Sequence, residues 1–209
     1  MRTRWVPLGR RCWSPGYGGA RPAYIRAVTS STTDPIPDPI PDPAVVVRDT
    51  VAADLHAALA LNNANLPALN ELDAPEIARL VSISHTALTA EVGGTFAGFC
   101  IAIPPGVDYA SLNYAWFSRT YDRFVYLDRL AVDPAFRRYG IGRAFYAALI
   151  ERSRSEYPRI TCEVNIRPMN EGSLAFHHSL GFREVGQQDT DGGSKTVSLL
   201  ALPLDPPHV

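Results

Sequence analysis

A glycine-containing loop between a strand and a helix is the feature that most constrains the fold of this chain. Residues 124–132 are apolar, β-branched and aromatic, which predicts a strand that ends before Pro134. Residues 140–153 predict a helix, because their apolar side chains recur at positions i, i+3, i+4, i+7 and i+8. The loop and the start of this helix read Arg137-Arg138-Tyr139-Gly140-Ile141-Gly142-Arg143-Ala144. A strand, a glycine turn and a helix in this order are typical of α/β proteins.

The same loop has the chemistry of a phosphate site. Free N–H groups and the positive end of the dipole attract anions at a helix start, and three arginines strengthen the attraction. A dinucleotide fingerprint would have a third glycine at position 145, where this chain has Phe145, and a P-loop would continue with Lys and Ser or Thr. Neither pattern is present, which leaves a pyrophosphate on a strand, R-x-x-G-x-G, helix unit.

The other residues between 44 and 204 predict further strands and helices of an α/β fold. Strands are predicted at residues 44–47, 86–92, 95–103, 124–132, 159–165, 182–186 and 196–202. Helices are predicted at residues 52–61, 75–83, 140–153 and 173–180. Gly93-Gly94 between the second and third strands indicates an antiparallel hairpin. We therefore expect a mixed sheet of about seven strands flanked by about four helices.

The beginning of the chain differs in charge from the rest. Residues 1–33 carry six of the 20 basic residues and none of the 21 acidic ones, so the remainder has a net charge of −7. Their composition suits a mitochondrial transit peptide or a disordered basic tail, and their prolines and glycines favour the tail. Residues 34–43 repeat Ile-Pro-Asp-Pro and predict a semi-rigid polyproline linker. We expect a folded domain at residues 44–204 and a short tail at 205–209.

Charge, hydropathy and cysteine content exclude several classes of protein. The net negative charge of the predicted domain argues against a nucleic-acid partner. The longest apolar run, residues 97–107, is interrupted by two prolines and is too short for a membrane helix. Three scattered cysteines suit a reducing compartment. We expect a cytoplasmic protein, with the mitochondrial matrix as the alternative if residues 1–33 are a transit peptide.

Three patterns together resemble the GNAT superfamily of acetyl-coenzyme A dependent N-acetyltransferases. Arg137, Gly140 and Gly142 match its R/Q-x-x-G-x-G/A signature. The preceding strand ends in Leu130-Ala131-Val132-Asp133-Pro134, and Asn170 lies eleven residues before Gly181-Phe182, as in the family. The resemblance covers about residues 44–204. It implies a sheet splayed at its centre and acetyl-coenzyme A as co-substrate, without a metal.

The resemblance also implies where the cofactor binds. Main-chain groups of Leu130, Ala131 and Val132 would hydrogen-bond the pantetheine arm. Asn170 would contact the same arm, and Phe176 would form a wall beside the thioester. Arg137 would lie beside the pyrophosphate. The pyrophosphate itself would be held by the main-chain N–H groups of the loop and the helix start, which are those of Arg138, Tyr139, Gly140, Ile141, Gly142, Arg143 and Ala144.

Amide formation needs a base for the amine and an acid for the leaving thiolate. Thr161-Cys162-Glu163-Val164 looks like the Leu-Glu-Val strand of GNAT enzymes that acetylate the N-terminal amine of a ribosomal protein, where that Glu is the general base. Glu163 is therefore the first candidate base, and Asp128 in the preceding strand is the second. The alternative for each carboxylate is an ion pair with a neighbouring arginine, Arg129 or Arg167.

The acid of the family is usually a tyrosine seven residues after the Asn, and His177 occupies that position in this chain. An imidazole cation could donate a proton to a thiolate, but it is the minority species at pH 7 because the reference pKa is about 6.5. The alternative is a partly buried helix residue. In one respect the chain departs from the ribosomal-protein branch. Six residues separate Glu163 from Asn170 where that branch has four, so the loop after Glu163 is longer and its geometry differs.

An α-amine is an easier acceptor than a lysine side chain. Deprotonation at pH 7 costs about 4.6 kcal/mol for lysine and about 1.1 kcal/mol for an α-amine. The aromatic-rich residues 106–122 either line the acceptor site or pack on the core. The sequence thus predicts an N-acetyltransferase for a primary amine of a small molecule or a peptide N-terminus. The alternative is a GNAT-like module that binds acyl-coenzyme A without turnover. The sequence is also compatible with a homodimer.

Overall fold

A computed structural model of the protein describes residues 44–205. The predicted basic tail or transit peptide, the proline-rich linker and most of the short C-terminal tail lie outside the described residues. The strands are β1 Val45–Asp49, β2 Thr86–Val92, β3 Thr95–Ile103, β4 Val125–Val132, β5 Arg159–Arg167, β6 Arg183–Thr190 and β7 Lys195–Pro203. The helices are α1 Leu55–Ala64, α2 Ala74–Ile83, α3 Leu112–Thr120, α4 Ile141–Ser153 and α5 Glu171–Ser179.

The seven strands form one mixed sheet in the order β1-β2-β3-β4-β5-β7-β6. All neighbouring strands are antiparallel except β4 and β5, which are parallel and pair only at Val125↔Ile160 and Tyr126↔Thr161. Beyond Tyr126 the two strands separate. The register of β4 against β3 also shifts at Asp128, which lies between the residues that pair with Ile101 and Ala102. Such a bulge bends a strand away from its neighbour, and the prediction of a mixed sheet splayed at its centre is confirmed.

Two apolar clusters cover the two faces of the sheet. Side chains alternate between the faces along β3, so Cys100 belongs to one cluster and Phe99 to the other. Helix α4 covers the first face, where Phe145 and Leu149 are fully buried. Helices α1, α2 and α3 cover the second face, and Phe117 is fully buried there. The gap between β4 and β5 therefore lies between two well-packed layers.

Two elements differ from the prediction in detail. Residues 44–205 contain five α-helices where about four are predicted, because α3 forms inside residues 106–122, which the sequence predicts as a connection. Ser111 caps this helix by accepting a hydrogen bond from the N–H of Tyr114 at 3.2 Å. Strand β6 continues to Thr190 instead of ending at residue 186, because its hydrogen bonds come from pairing with β7 along its whole length. Within residues 44–205 no helix has the length and apolar character to cross a membrane.

Candidate functional site

A cavity of about 480 Å³ opens where β4 and β5 separate. Its floor comes from these two strands, and its walls come from the segment between α1 and α2, the start of α3, the start of α5 and the turn between β6 and β7. The lining residues are Asn65, 68–70, 109–113, 126–130, 162–165, Asn170, Ser173, His177, Thr190, Asp191, Lys195 and Val197. The structure thus brings Glu163, Asp128, His177, Asn170 and Leu130 together at one cavity. No cluster of three His, Cys, Asp or Glu side chains that could hold a metal ion occurs among residues 44–205.

Glu163 projects from β5 into the cavity and is bound by a phenol. The hydroxyl of Tyr126 lies 2.9 Å from its Oε1 and 2.8 Å from its Oε2. Burial raises the pKa of Glu163 to about 7, although the hydrogen bond from Tyr126 opposes this shift. The alternative of an arginine partner is wrong for this carboxylate, because Arg129 lies against Asp128 and Arg167 pairs with Asp189. A carboxyl group with this pKa can exchange a proton near neutral pH.

Asp128, the second candidate base, has the arginine partner that the alternative expected. Its Oδ2 lies 2.8 Å from Nε of Arg129, and both side chains are 6% exposed. The N–H of Arg129 does not point at this oxygen, so the contact is electrostatic. The hydroxyl of Tyr109 donates to Oδ1 at 2.5 Å. Burial raises the pKa of Asp128, while the arginine and the tyrosine lower it. Both groups leave Asp128 less available as a base than Glu163.

His177 lines the cavity, but both of its ring nitrogens are bonded inside the protein. Nδ1 lies 2.7 Å from the main-chain oxygen of Ser173, which can only accept, so Nδ1 carries the hydrogen. Nε2 then accepts from the hydroxyl of Tyr146 at 2.7 Å. Burial lowers the pKa of His177, which favours the neutral ring. A proton on His177 could reach the cavity only after one of these bonds breaks, so its role as the acid stays a prediction.

The start of α4 offers main-chain N–H groups to a ligand. Its N-cap is Gly140 at φ +80°, which gives no side-chain cap, and Arg138 also has a positive φ of +70°. A left-handed turn before an uncapped helix leaves its first N–H groups without helical partners. The N–H of Ala144 donates to the carbonyl of Gly140 at 3.0 Å, and its contact with the pyrophosphate stays a prediction.

Gly142 is in close contact with a side chain of the protein itself. A Cβ at this position would lie 3.0 Å from Cζ of Phe176. Phe176 also packs against the ring of Tyr146, with centroids 5.9 Å apart, and it is not among the residues that line the cavity. Its predicted place beside the thioester therefore stays a prediction. The contact with Gly142 joins α5 to the predicted phosphate loop on α4.

Asn170 and the end of β4 lie on either side of the gap between the strands. Asn170 is the N-cap of α5, where its Oδ1 accepts a hydrogen bond from the N–H of Ser173 at 3.1 Å. Leu130 lines the cavity, whereas Ala131 and Val132 pair with β3 and lie farther along β4. Because β5 does not pair with this part of β4, some of its main-chain groups face the gap.

Sequence reasoning missed two tyrosines of this site, Tyr126 and Tyr146, and left the place of a third, Tyr109, open. Tyr126 lies two residues before Asp128 on a predicted strand, and this alternation was a usable signal. Tyr146 and His177 are 31 residues apart, and no local pattern indicates their hydrogen bond. Tyr109 lies in residues 106–122, for which two alternatives were open. Both hold in part, because residues 109–113 line the cavity while Phe117 is buried in the core.

Comparison with known proteins places this architecture. The model of the acetyltransferase (GNAT) family matches residues 58–182, which is more than half of the chain. The chain belongs to the GNAT family. A GNAT relative, the ribosomal protein bS18-alanine N-acetyltransferase of Escherichia coli K12, is 32% identical over 82 residues, which are 37% of this chain and 55% of that protein. The chain thus spans about half the length of the curated relatives it matches.

Solved structures share the GNAT fold of this chain. The crystal structure of the ribosomal-protein-S18-alanine N-acetyltransferase from Escherichia coli aligns with a TM-score of 0.60 at 22% identity, covering 79% of this chain and 97% of that one. The yncA protein of Salmonella typhimurium, solved with acetyl-CoA, aligns with a TM-score of 0.60 at 22% identity, covering 79% and 96%. At these identities the likeness concerns the fold alone.

Proposed function

We propose that this GNAT protein transfers the acetyl group of acetyl-coenzyme A to the α-amine of a peptide or protein N-terminus. The observation that carries the proposal is Glu163, a carboxyl group with a pKa of about 7 that opens into the cavity between β4 and β5. The names of the E. coli relatives, which acetylate the alanine of a ribosomal protein, support the choice of a protein amine.

The residues around the gap fit the co-substrate. Main-chain groups of β4 near Leu130 would bind the pantetheine arm, because this strand has no pairing with β5 there. Asn170 would contact the same arm from α5. The N–H groups of Ile141, Gly142 and Arg143 at the uncapped start of α4 would hold the pyrophosphate. When bound, acetyl-coenzyme A supplies an activated acetyl group to the cavity.

Glu163 would take the proton that the amine must lose before it can attack. Proton transfer from an α-amine with a pKa near 7.8 to a carboxylate with a pKa of about 7 costs about 1 kcal/mol. The same transfer from a lysine side chain costs about 4.6 kcal/mol. Tyr126 holds both oxygens of Glu163 and thereby fixes the carboxylate toward the cavity. The lower cost of proton transfer from an α-amine than from a lysine side chain supports an α-amine as the acceptor.

The test measures thiol release from acetyl-coenzyme A with the full chain. We expect acetylation of an alanine-starting peptide, and much slower acetylation of the same peptide when its only amine is a lysine side chain. We also expect kcat/KM to fall tenfold per pH unit below pH 7, because protonated Glu163 cannot act as a base.

The matched variant is Glu163→Gln, which keeps the size of the side chain. We expect its kcat to fall by about 10²-fold or more while the KM for acetyl-coenzyme A stays unchanged. Full turnover by Glu163→Gln would exclude Glu163 as the base. No thiol release with any amine would instead favour the module that binds acyl-coenzyme A without turnover.

A further inference from the structure

Asparagines are concentrated at the cavity. The chain has seven asparagines, and five of them line this one cavity. Asn165 and Asn170 lie on the side of β5 and α5, which we assign to the cofactor arm. Asn65, Asn70 and Asn113 lie on the walls that remain for the acceptor, from the segment between α1 and α2 and from the start of α3.

The three acceptor-side amides keep hydrogen-bonding capacity toward the cavity. The NH₂ group of Asn65 donates to the carbonyl of Leu61 at 2.7 Å, which leaves its Oδ1 as an acceptor. Oδ1 of Asn113 accepts from Gln188 at 2.9 Å, and its NH₂ group is a donor beside Glu163, where it lowers the pKa of that carboxyl group. Within residues 44–205 no hydrogen bond of the Asn70 side-chain amide is found, so it offers both functions.

A buried arginine fixes the segment that carries two of these amides. Nη1 of Arg129 donates to Oδ1 of Asn62 at 2.8 Å and lies 3.3 Å from the main-chain oxygen of Asn70. The Nδ2 of Asn62 donates to the same oxygen at 2.9 Å. Arg129 projects from β4 and is 6% exposed, so the acceptor wall is tied to the strand at the floor of the cavity.

The charges that line the cavity are compensated in pairs. Arg129 lies against Asp128, and Lys195 lies 2.8 Å from Asp191 at the mouth. Burial lowers the pKa of His177, which favours its neutral form, and both ring nitrogens are hydrogen-bonded inside the protein. Of the charged groups that line the cavity in the described part of the chain, only Glu163 has no counter-ion. A second charge on the acceptor would therefore lose water without gaining a partner.

We propose that Asn65, Asn70 and Asn113 bind the first peptide bond of the acceptor and that the cavity selects a peptide whose first side chain is uncharged. Side-chain amides match a peptide bond, because each presents a donor and an acceptor in one plane. The inference rests on the proposed function and narrows its substrate class to neutral polypeptide N-termini. Free amino acids, polyamines and amino sugars lack a peptide bond or carry a further charge.

The first experiment compares acceptors with the full chain and acetyl-coenzyme A, at equal concentrations of uncharged amine. We expect kcat/KM for Ala-Gly-Gly to exceed that for isopropylamine and for free alanine at least tenfold. We expect a similar preference for Ala-Gly-Gly over Asp-Gly-Gly and Lys-Gly-Gly. Equal values for the peptide and isopropylamine, or for neutral and charged first residues, would overturn the inference while the acetyltransferase proposal stands.

The second experiment uses variants of the acceptor wall. Asn70→Ala is expected to lower kcat/KM for Ala-Gly-Gly about tenfold, which is the size of one lost hydrogen bond, and to change the rate with isopropylamine less than threefold. The control is Arg119→Ala on the exposed side of α3, which should leave both rates unchanged.

The outcomes separate the two proposals. Equal losses with the peptide and with isopropylamine would show that the asparagines act on the base or on the fold, and this result would overturn the inference. Faster acetylation of a polyamine or an amino sugar than of every peptide would also overturn it. No thiol release from any amine would refute the proposed function, and the inference would fall with it.

Discussion

Glu163 shows how one buried side chain can couple the chemistry of the site to the stability of the fold. Its carboxyl group lies in a cavity between two packed layers, and the hydroxyl of Tyr126 is bonded to both of its oxygens. Burial therefore raises its pKa to about 7. The same shift that makes it a base at neutral pH makes its ionised form costly to the folded protein.

Replacement of Glu163 by glutamine should stabilise the protein at alkaline pH. The folded pKa of about 7 lies above the reference value of 4.5, so the stability contributed by the neutral carboxyl is complete below pH 4.5 and is lost as the pH rises through 7. At pH 8 we expect Glu163→Gln to raise the free energy of unfolding by at most about 3 kcal/mol, and near pH 5 by at most about 1 kcal/mol. Urea unfolding at both pH values checks this, and an equal effect at both would contradict the raised pKa.

At the scale of elements, α4 and α5 are joined by two contacts in the first half of α4. Phe176 of α5 fills the space above Gly142, and His177 accepts a hydrogen bond from Tyr146 of α4. The packing of α5 therefore affects the N–H groups at the start of α4 even though α5 supplies none of them.

The two glycines of the loop should respond differently to alanine. At Gly142 the new Cβ would meet Phe176, whereas at Gly140 no atom lies within 4 Å and only the φ of +80° is unfavourable. We expect each variant to lose about 1 kcal/mol of stability and to bind coenzyme A more weakly. Adding Phe176→Leu should restore Gly142→Ala and not Gly140→Ala. Calorimetry with coenzyme A measures this, and rescue of both variants would refute the packing explanation.

Substitution of His177 should act mainly on stability. In His177→Phe the buried hydroxyl of Tyr146 loses its acceptor, which costs about 1–3 kcal/mol. The double variant Tyr146→Phe/His177→Phe should recover part of this loss. We expect turnover to fall less than tenfold when the folded fraction is equal. A loss of about 10²-fold or more at unchanged stability would instead establish His177 as the acid.

The sequence was sufficient for regular elements and insufficient for long-range contacts. Helix α4 and strands β2, β3, β4, β5 and β7 follow from the sequence pattern, because each buries an apolar stripe or face, whereas β6 has no buried residue. Helix α3 is not predicted from the sequence, because its stability comes from contacts with distant residues. Trp116 of α3 packs over Gly186 of β6, where a Cβ would lie 2.7 Å from the indole. In the site, the candidates Glu163 and Asp128 could be named from the sequence, but Tyr126 and Tyr109, which bind their oxygens, are defined only by the fold.

At the scale of the whole molecule, the sheet consists of two antiparallel halves joined at the gap. β1 to β4 form one half, and β5, β7 and β6 form the other. Between them the strands pair at only two positions, Val125↔Ile160 and Tyr126↔Thr161. A ligand that bonds to β4 and to α5 would therefore link the two halves.

Coenzyme A should stabilise the folded protein by binding across this gap. At a concentration of 100 times its Kd, one bound ligand adds about 2.7 kcal/mol to the free energy of unfolding. We expect a rise in Tm that grows with coenzyme A concentration and that is smaller in Gly140→Ala. The control is Arg154→Ala, at the C-cap of α4 and 40% exposed, which should keep the full rise. No change in Tm at saturating coenzyme A would contradict a site at the gap.

The bulge at Asp128 and the short pairing that precedes it also determine how solvent reaches β4. From residue 127 to residue 132, amides directed at β3 are held in a ladder, while those directed at the gap have no partner on β5. In hydrogen–deuterium exchange, we therefore expect fast and slow amides to alternate along this strand, with every second amide exchanging quickly. Coenzyme A should slow the fast ones, so the strand would report occupancy residue by residue.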